Sequence, residues 1–357
     1  MEHALTEIMS YLAAPLLMLL SIKGQYFWGT YLGAALTAAA IYFVARRGRR
    51  SSWRGLRTYI LPDRILSHPS TQLDLKLFIV GAIYVLVQGT VIFGAMPHVL
   101  DSSLAGLEAV FGPGMANGTP SHLLTAITVF LTFLALEFGY WFSHWLMHRI
   151  DWLWEFHKVH HSAEVMTPLT EWRQHPVELF MFPALMGAAV AMIHAPVIYL
   201  FGRESQTLAL GGVNVILIVF WYTVLHLRHS HIPFTLEGFW GRILQTPAHH
   251  QVHHSTDPRH FNRNLGYCLS LWDWLFGTLY VPRKDERFEF GLGERDEPLE
   301  TLIGSLVAPF GRAAGLIARR AGLLKPTAQP GFEAIQKPLQ EAAASKTSGA
   351  RARKVSA

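Results

Sequence analysis

Apolar runs that meet almost no charge recur along the chain, at about residues 9–22, 26–45, 76–97, 123–142, 178–201 and 207–225. Each approaches or reaches the roughly 17–25 helical residues that cross a hydrocarbon core about 30 Å thick. No water reaches backbone groups in that core, so such runs fold as helices whose hydrogen bonds are internal. Charged residues make up only 15% of the 357-residue chain, against about 25% in a soluble domain. Mean hydropathy is +0.24. The expected fold is therefore all-α, a multi-pass transmembrane helical bundle.

Charge then orients the bundle. The net charge of +5 and the pI near 9.3 could suggest a nucleic-acid partner, but the basic residues flank apolar spans, as in RRGRR at 46–50, or lie in the tail. They read as topology determinants, and no nucleic acid is expected. The first two runs form a hairpin, and the basic stretch after residue 45 belongs on the cytoplasmic side by the positive-inside bias. Run 76–97 then emerges into an outer loop rich in Pro, Gly and polar residues, and run 123–142 returns, so that His144 arrives on the cytoplasmic face. Runs 178–201 and 207–225, joined by GRESQ, go out and return or form a re-entrant pair; either way His226 reaches the side where His161 was left.

Four stretches are expected from this reading. Residues 1–75 form an N-terminal transmembrane hairpin and basic linker, and 76–285 the main membrane domain. Residues 286–324 form an amphipathic membrane-surface segment carrying Arg312, Arg319 and Arg320, and 325–357 a disordered basic tail. The opening MEHALTEIMS has no basic residue before its apolar run, unlike a cleaved secretory signal, so it is expected to stay on.

Histidines carry the chemistry. His144 and His148 stand i,i+4, and His157, His160 and His161 stand i, i+3 and i+4, so each set shares one helix face. His226, His229 and His231 follow, and His250, His253 and His254 repeat the H-x-x-H-H spacing. A single cysteine, Cys268, excludes a cysteine zinc site and a ferredoxin-type cluster. Neutral imidazole suits zinc, copper and iron. A structural zinc takes four ligands and a catalytic one about three, so a surplus of this size argues for two metals. An oxygen-poor histidine shell suits two iron ions that activate dioxygen. HWLMH is not a zinc-protease helix, because Trp145 occupies the general-base position.

A plainer reading makes these rings an interfacial belt with Trp141, Trp145, Trp152 and Trp154. A belt does not require regular spacing. The isolated His3, His68, His98, His122 and His194 are read as interfacial or core side chains. His175 and His260 divide between outer partners of metal ligands and surface residues, while Glu171, Arg173 and Asp273 are structural groups that orient ligands.

HWLMH, FHKVHHS and HHQVHHS, together with RQHP at 173–176, NLG at 264–266 and WDWLFGT at 272–278, resemble the fatty acid hydroxylase / sterol desaturase superfamily of integral-membrane di-iron enzymes over about residues 75–285. The resemblance implies a cytosolic-facing histidine-rich helical cap, two iron ions, and O2-dependent oxidation of a lipid C–H bond. Its implied ligands are His144, His148, His157, His160, His161, His229, His250, His253 and His254, with His226 as a tenth and His249 as the alternative to His250. It implies a monooxygenase or, on the same scaffold, a desaturase. A fatty acyl chain, a sterol, an ether lipid, a carotenoid and an aminolipid all fit as the lipid, which reaches the site sideways from the bilayer of a bacterial inner membrane or an endoplasmic reticulum. A non-enzymatic metal transporter or haem carrier fits less well, since the span centres at 79–95 and 182–193 carry no charge. Electrons must come from a separate donor protein, because no iron–sulfur cysteines and no Gly-rich dinucleotide fingerprint are visible. Positive charge on the cytoplasmic face suits an acidic donor.

Overall fold

The computed structural model describes residues 13, 16–17, 19–21, 24–47, 49–114, 122–202 and 214–324, with the backbone alone for 85–96. Of the first apolar run only residues 13, 16–17 and 19–21 are among these, and residues 203–213 and the tail from 325 on lie outside them. Among the described residues there are helices and two isolated bridges, Leu244 to Leu269 and Ser255 to Phe290, and no strand. The chain is an all-α, multi-pass membrane protein. Among the described residues four helices are long and apolar enough to cross a bilayer: Trp28–Ala45 (α1), His122–Arg149, Pro176–Phe201 and Leu302–Arg320.

Pro69–Phe111 (α2) differs from expectation. The outer loop foreseen after residue 97 is helical as far as Phe111, and Pro97 sits inside the helix. A helix of 43 residues is about 65 Å long at 1.5 Å per residue, twice the thickness of a hydrocarbon core. It must therefore project from the membrane. Pro69 at the first turn lacks an N–H that would have had no partner there, the His68 ring accepts from Ser70 N, and Gly112 ends the helix at φ 83°.

His122–Arg149 (α3) carries the fourth run seven residues past its expected end, so His144 and His148 ride on the last turns of a membrane helix. Ile150 breaks it, and Asp151–His161 (α4) starts at once. After a short 3-10 turn at Pro168–Trp172, Pro176–Phe201 (α5) opens with His175 and Glu178 capping each other's backbone N–H groups. α5 packs along both α2 and α3. Gly139 of α3 allows the close approach, since a Cβ there would lie 2.6 Å from Met186 Cα. Val215–Thr223 (α6), Leu225–Arg228 (α7) and Pro247–His253 (α8) follow. Leu302–Arg320 (α9) lies against α4, burying Ser305, Pro309 and Ala313 and exposing Ile303, Val307, Phe310 and Ile317. Large apolar side chains such as Leu36, Phe130 and Met192 also face outward from the spanning helices, where the surrounding medium is lipid.

Candidate metal centre

The end of α3 and the whole of α4 meet α7 and α8 in a layer of buried imidazoles. His144, His148, His157, His161 and His253 form one group, with one ring nitrogen from each lying within 4.8 Å of the others. His160, His229, His250 and His254 form a second on the same criterion. Every one of these rings is at most 5% exposed. In the first group His144 Nε2 is 3.0 Å from His157 Nε2, which is 3.2 Å from His161 Nε2. In the second, His229 Nε2 stands 2.8 Å from His250 Nε2, 3.1 Å from His160 Nε2 and 3.3 Å from His254 Nε2.

Outer partners aim the rings. His144 Nδ1 donates to Leu265 O at 2.8 Å and His253 Nδ1 to Arg263 O at 2.9 Å. His157 Nδ1 is 2.5 Å from Glu178 and His229 Nδ1 2.7 Å from Glu171. Such contacts leave Nε2 as the lone-pair nitrogen facing the group. Burial, reinforced by neighbouring rings, pushes His157, His160, His161 and His254 well below the ordinary imidazole value, and burial takes His253 to about 3. The rings are therefore neutral and open to a cation near pH 7. Burial raises the Glu171 carboxyl, but the His229 ring beside it and the buried positive charge of Arg228 outweigh that and hold the group below the ordinary carboxyl value.

The donor set fits transition metals. Buried lone pairs crowd together with few N–H groups to satisfy them, and His253 Nε2 has no hydrogen-bond partner. A buried acceptor left in that condition costs about 1–3 kcal/mol. An ion in each group would engage these atoms, and imidazole-only sites suit zinc, copper, iron and nickel.

Of the ten ligands that the resemblance implies, the structure brings all but His226 into the two groups. His226 turns the other way: its Nε2 is 2.8 Å from Thr30 Oγ1 and 3.2 Å from Gln25 O, and its ring stacks on Tyr31. His231 points to Tyr59 O. His249 caps α8 through Thr246 and Gly241 O, leaving His250 in the group. His175 caps α5 and reaches Leu306 O of α9 at 3.1 Å. His260 is buried 3.4 Å from Glu286.

Asp273 accepts from Leu265 N, Gly266 N, Trp141 and Gln245, so the WDWLFGT stretch braces the loop whose Leu265 carbonyl holds His144. Arg173 pairs with Asp74 at 2.8 Å and bonds Val159 O and Ser162 at the end of α4. Trp154 packs on His148 and His161, so this tryptophan lines the group. Sequence reasoning missed two residues, Glu178 and Arg228. The H-x-x-E capping spacing from His175 was the one signal for Glu178.

Residues 129–278 match the family model described as fatty acid hydroxylase. The match contains every histidine of both groups, and the matching family is of the kind that the sequence motifs resemble. The chain is similar to alkylglycerol monooxygenase of Xenopus tropicalis, 32% identical over 165 residues, covering 46% of this chain and 33% of that protein. It is similar to ornithine lipid hydroxylase OlsE of Rhizobium tropici, 26% identical over 193 residues (54% and 53%), and to lathosterol oxidase of Mus musculus, 29% identical over 167 residues (46% and 48%). The chain spans about a third to a half of the length of these curated relatives. No solved structure matches.

Proposed function

We propose that the protein is a membrane-bound monooxygenase that hydroxylates a C–H bond of a lipid, using O2, two iron ions and electrons from a separate protein. The observation that carries this reading is the pair of adjacent, buried, imidazole-only groups, each drawing rings from both H-x-x-H-H stretches. His144, His148, His157, His161 and His253 hold one iron, and the second sits among His160, His229, His250 and His254. Bound there, the iron pair supplies the activation of dioxygen that C–H oxidation needs. The chain's own part is to aim the rings through Glu171, Glu178, Leu265 O and Arg263 O, to keep them neutral by burial, and to exclude bulk water.

The similar proteins are named for an alkylglycerol, an ornithine lipid and lathosterol, which supports a lipid substrate. His231 Nε2 lies 2.6 Å from Tyr59 O, so the basic segment after α1 and the histidine site share one side. The positive-inside bias makes that side cytoplasmic. α9, with an exposed apolar face and Arg319 and Arg320 at its end, rests on the membrane surface in this reading. Likeness to a sterol oxidase favours desaturation on the same scaffold as the second reading.

Lipid extracts of cells with and without the protein, grown under heavy-isotope dioxygen, separate these. A product carrying the heavy oxygen is expected. A new double bond without label would establish the second reading, and an unchanged lipid profile would defeat both.

A further inference from the structure

Just past α1, residues 46–57 hold six arginines, at 46, 47, 49, 50, 54 and 57, and no carboxylate. Among the described residues the one carboxylate paired with this stretch is Asp63, 3.4 Å from Arg57, in a largely exposed pair that is worth little in water. The 18 residues of α1 rise about 27 Å at 1.5 Å each, close to the thickness of a hydrocarbon core. Ala45 therefore stands where acyl chains give way to headgroups. Trp53, 82% exposed at the start of the short helix Trp53–Ile60, is a side chain that settles at that level.

Between the end of α1 and this short helix lies an open cleft of about 570 Å³, with Tyr42, Arg46, Ser52, Arg54 and Gly55 in its wall. Tyr42 is 3% exposed, yet its Oη has no hydrogen-bond partner, a condition that buried hydroxyls rarely keep. Gly55 brings the short helix down onto it, since a Cβ there would lie 2.5 Å from Tyr42 Oη and 3.2 Å from Ser52 Oγ. Ser52 Oγ accepts from Gly55 N at 3.1 Å, which leaves its O–H to donate outward. The Arg46 guanidinium sits over the Tyr42 ring, 5.2 Å from its centre. Two hydroxyl donors and two guanidinium groups thus line one opening, with no carboxylate in its wall.

We propose that this cleft binds an anionic phospholipid. Its phosphate takes charge-assisted hydrogen bonds from Arg46 and Arg54 and the hydroxyl proton of Tyr42. A lipid, and not free phosphate, is the source, because the cleft opens at headgroup level beside Phe43 and Val44 of α1, whose exposed side chains acyl chains would cover. The cleft shares no residue with either histidine group, so the inference stands apart from the iron reading.

The test is the thermal unfolding midpoint of the full-length protein in detergent, titrated with phosphatidylglycerol, phosphatidylcholine or inorganic phosphate. Phosphatidylglycerol should raise the wild-type midpoint along a saturable curve, and the other two should raise it much less. In the double variant Arg46→Gln/Arg54→Gln the half-saturating concentration should rise about 25-fold, about fivefold for each arginine. Tyr42→Phe, which loses only Oη, should raise it about tenfold, while its lipid-free midpoint should not fall. Arg47→Gln/Arg49→Gln removes the same charge from outside the cleft wall and should weaken binding less. A wild-type midpoint that phosphatidylglycerol leaves in place would overturn the proposal, as would an equal response to phosphatidylcholine or inorganic phosphate. So would an equal loss in the outside pair, which would mean that a diffuse field holds the lipid. Wild-type lipid binding by Tyr42→Phe, or a lower lipid-free midpoint, would likewise overturn it, because the hydroxyl would then serve the fold and not the phosphate.

Discussion

His157, His160 and His161 at the end of α4 and His250, His253 and His254 at the end of α8, where His254 is the C-cap, share one spacing, yet the structure deals them out crosswise. The first and last rings of the α4 copy join the first group and its middle ring joins the second; on α8 the first and last join the second group and the middle ring the first. Each helix thus reaches into both sites, and neither site exists without both helices. The copies are also anchored differently. Arg173 holds the end of α4 through Val159 O and Ser162, with Asp74 as its counter-charge. Gln251 holds α8 through Ser230 O and Ile232 O. The leading rings differ most, for His157 faces the carboxylate of Glu178 and His250 faces the guanidinium of Arg228. Equal spacing therefore gives equal reach, and the neighbours decide what stands behind each ring.

The crossing is the first thing to break. His160→Ala should empty the same metal position as His254→Ala, although the two lie on different copies, and either should lower product formation by at least about 100-fold, the upper range for losing even an outer partner of a ligand. Metal analysis of the two single variants and their double checks this: a double that loses no more metal than either single supports the crossing, and loss of both irons contradicts it.

The anchors come next. Arg173→Met strands the buried Asp74 carboxylate and should cost about 3–5 kcal/mol of stability. Gln251→Leu removes a neutral anchor and should cost about 1–3 kcal/mol. Denaturation midpoints rank the two, and an equal cost would mean that the copies are held alike.

Glu178→Gln and Glu171→Gln each replace the carboxyl group behind one ring, one in each group. Each should weaken iron binding by about 10–100-fold at its own position, measured by competition with a chelator. Weakening at both positions from either variant would show that the groups act as one.

The smallest effect concerns the underside of the α4 copy, where His175 packs on Phe156 and Phe310. Burial pushes His175 down to about 4 from an ordinary value of 6.5. Between these values the unfolded chain holds a proton at this position that the folded chain lacks. The contribution is complete above pH 6.5 and is lost as pH falls toward 4. His175→Asn keeps a capping acceptor and cannot titrate, so its stability should fall less steeply over that window, by up to about 1.4 kcal/mol per pH unit. An unchanged slope would mean that His175 is already charged in the folded protein.

Local information was enough for the membrane helices and for each histidine set taken alone. A run of apolar residues fixes its own hydrogen bonding in lipid, and an i,i+4 spacing places two rings on one face whatever surrounds the helix. The continuation of α2 past Pro97 was hidden because Pro and Gly beyond residue 97 read as a loop, and only the neighbouring helix α5, packed along α2, shows that the helical path is used. His226 was unreadable for a related reason. It is three residues from His229, but α7 is a single turn, and contacts with Thr30, Gln25 and Tyr31 from the far end of the chain turn its ring away.

By itself the order of residues determined an all-α membrane chain with a histidine-rich face, because helix periodicity and the cost of bare backbone in lipid are local matters. Tertiary structure alone decided which rings share a site and which carboxylate or guanidinium stands behind each, because those contacts join positions tens to hundreds of residues apart and no spacing records them.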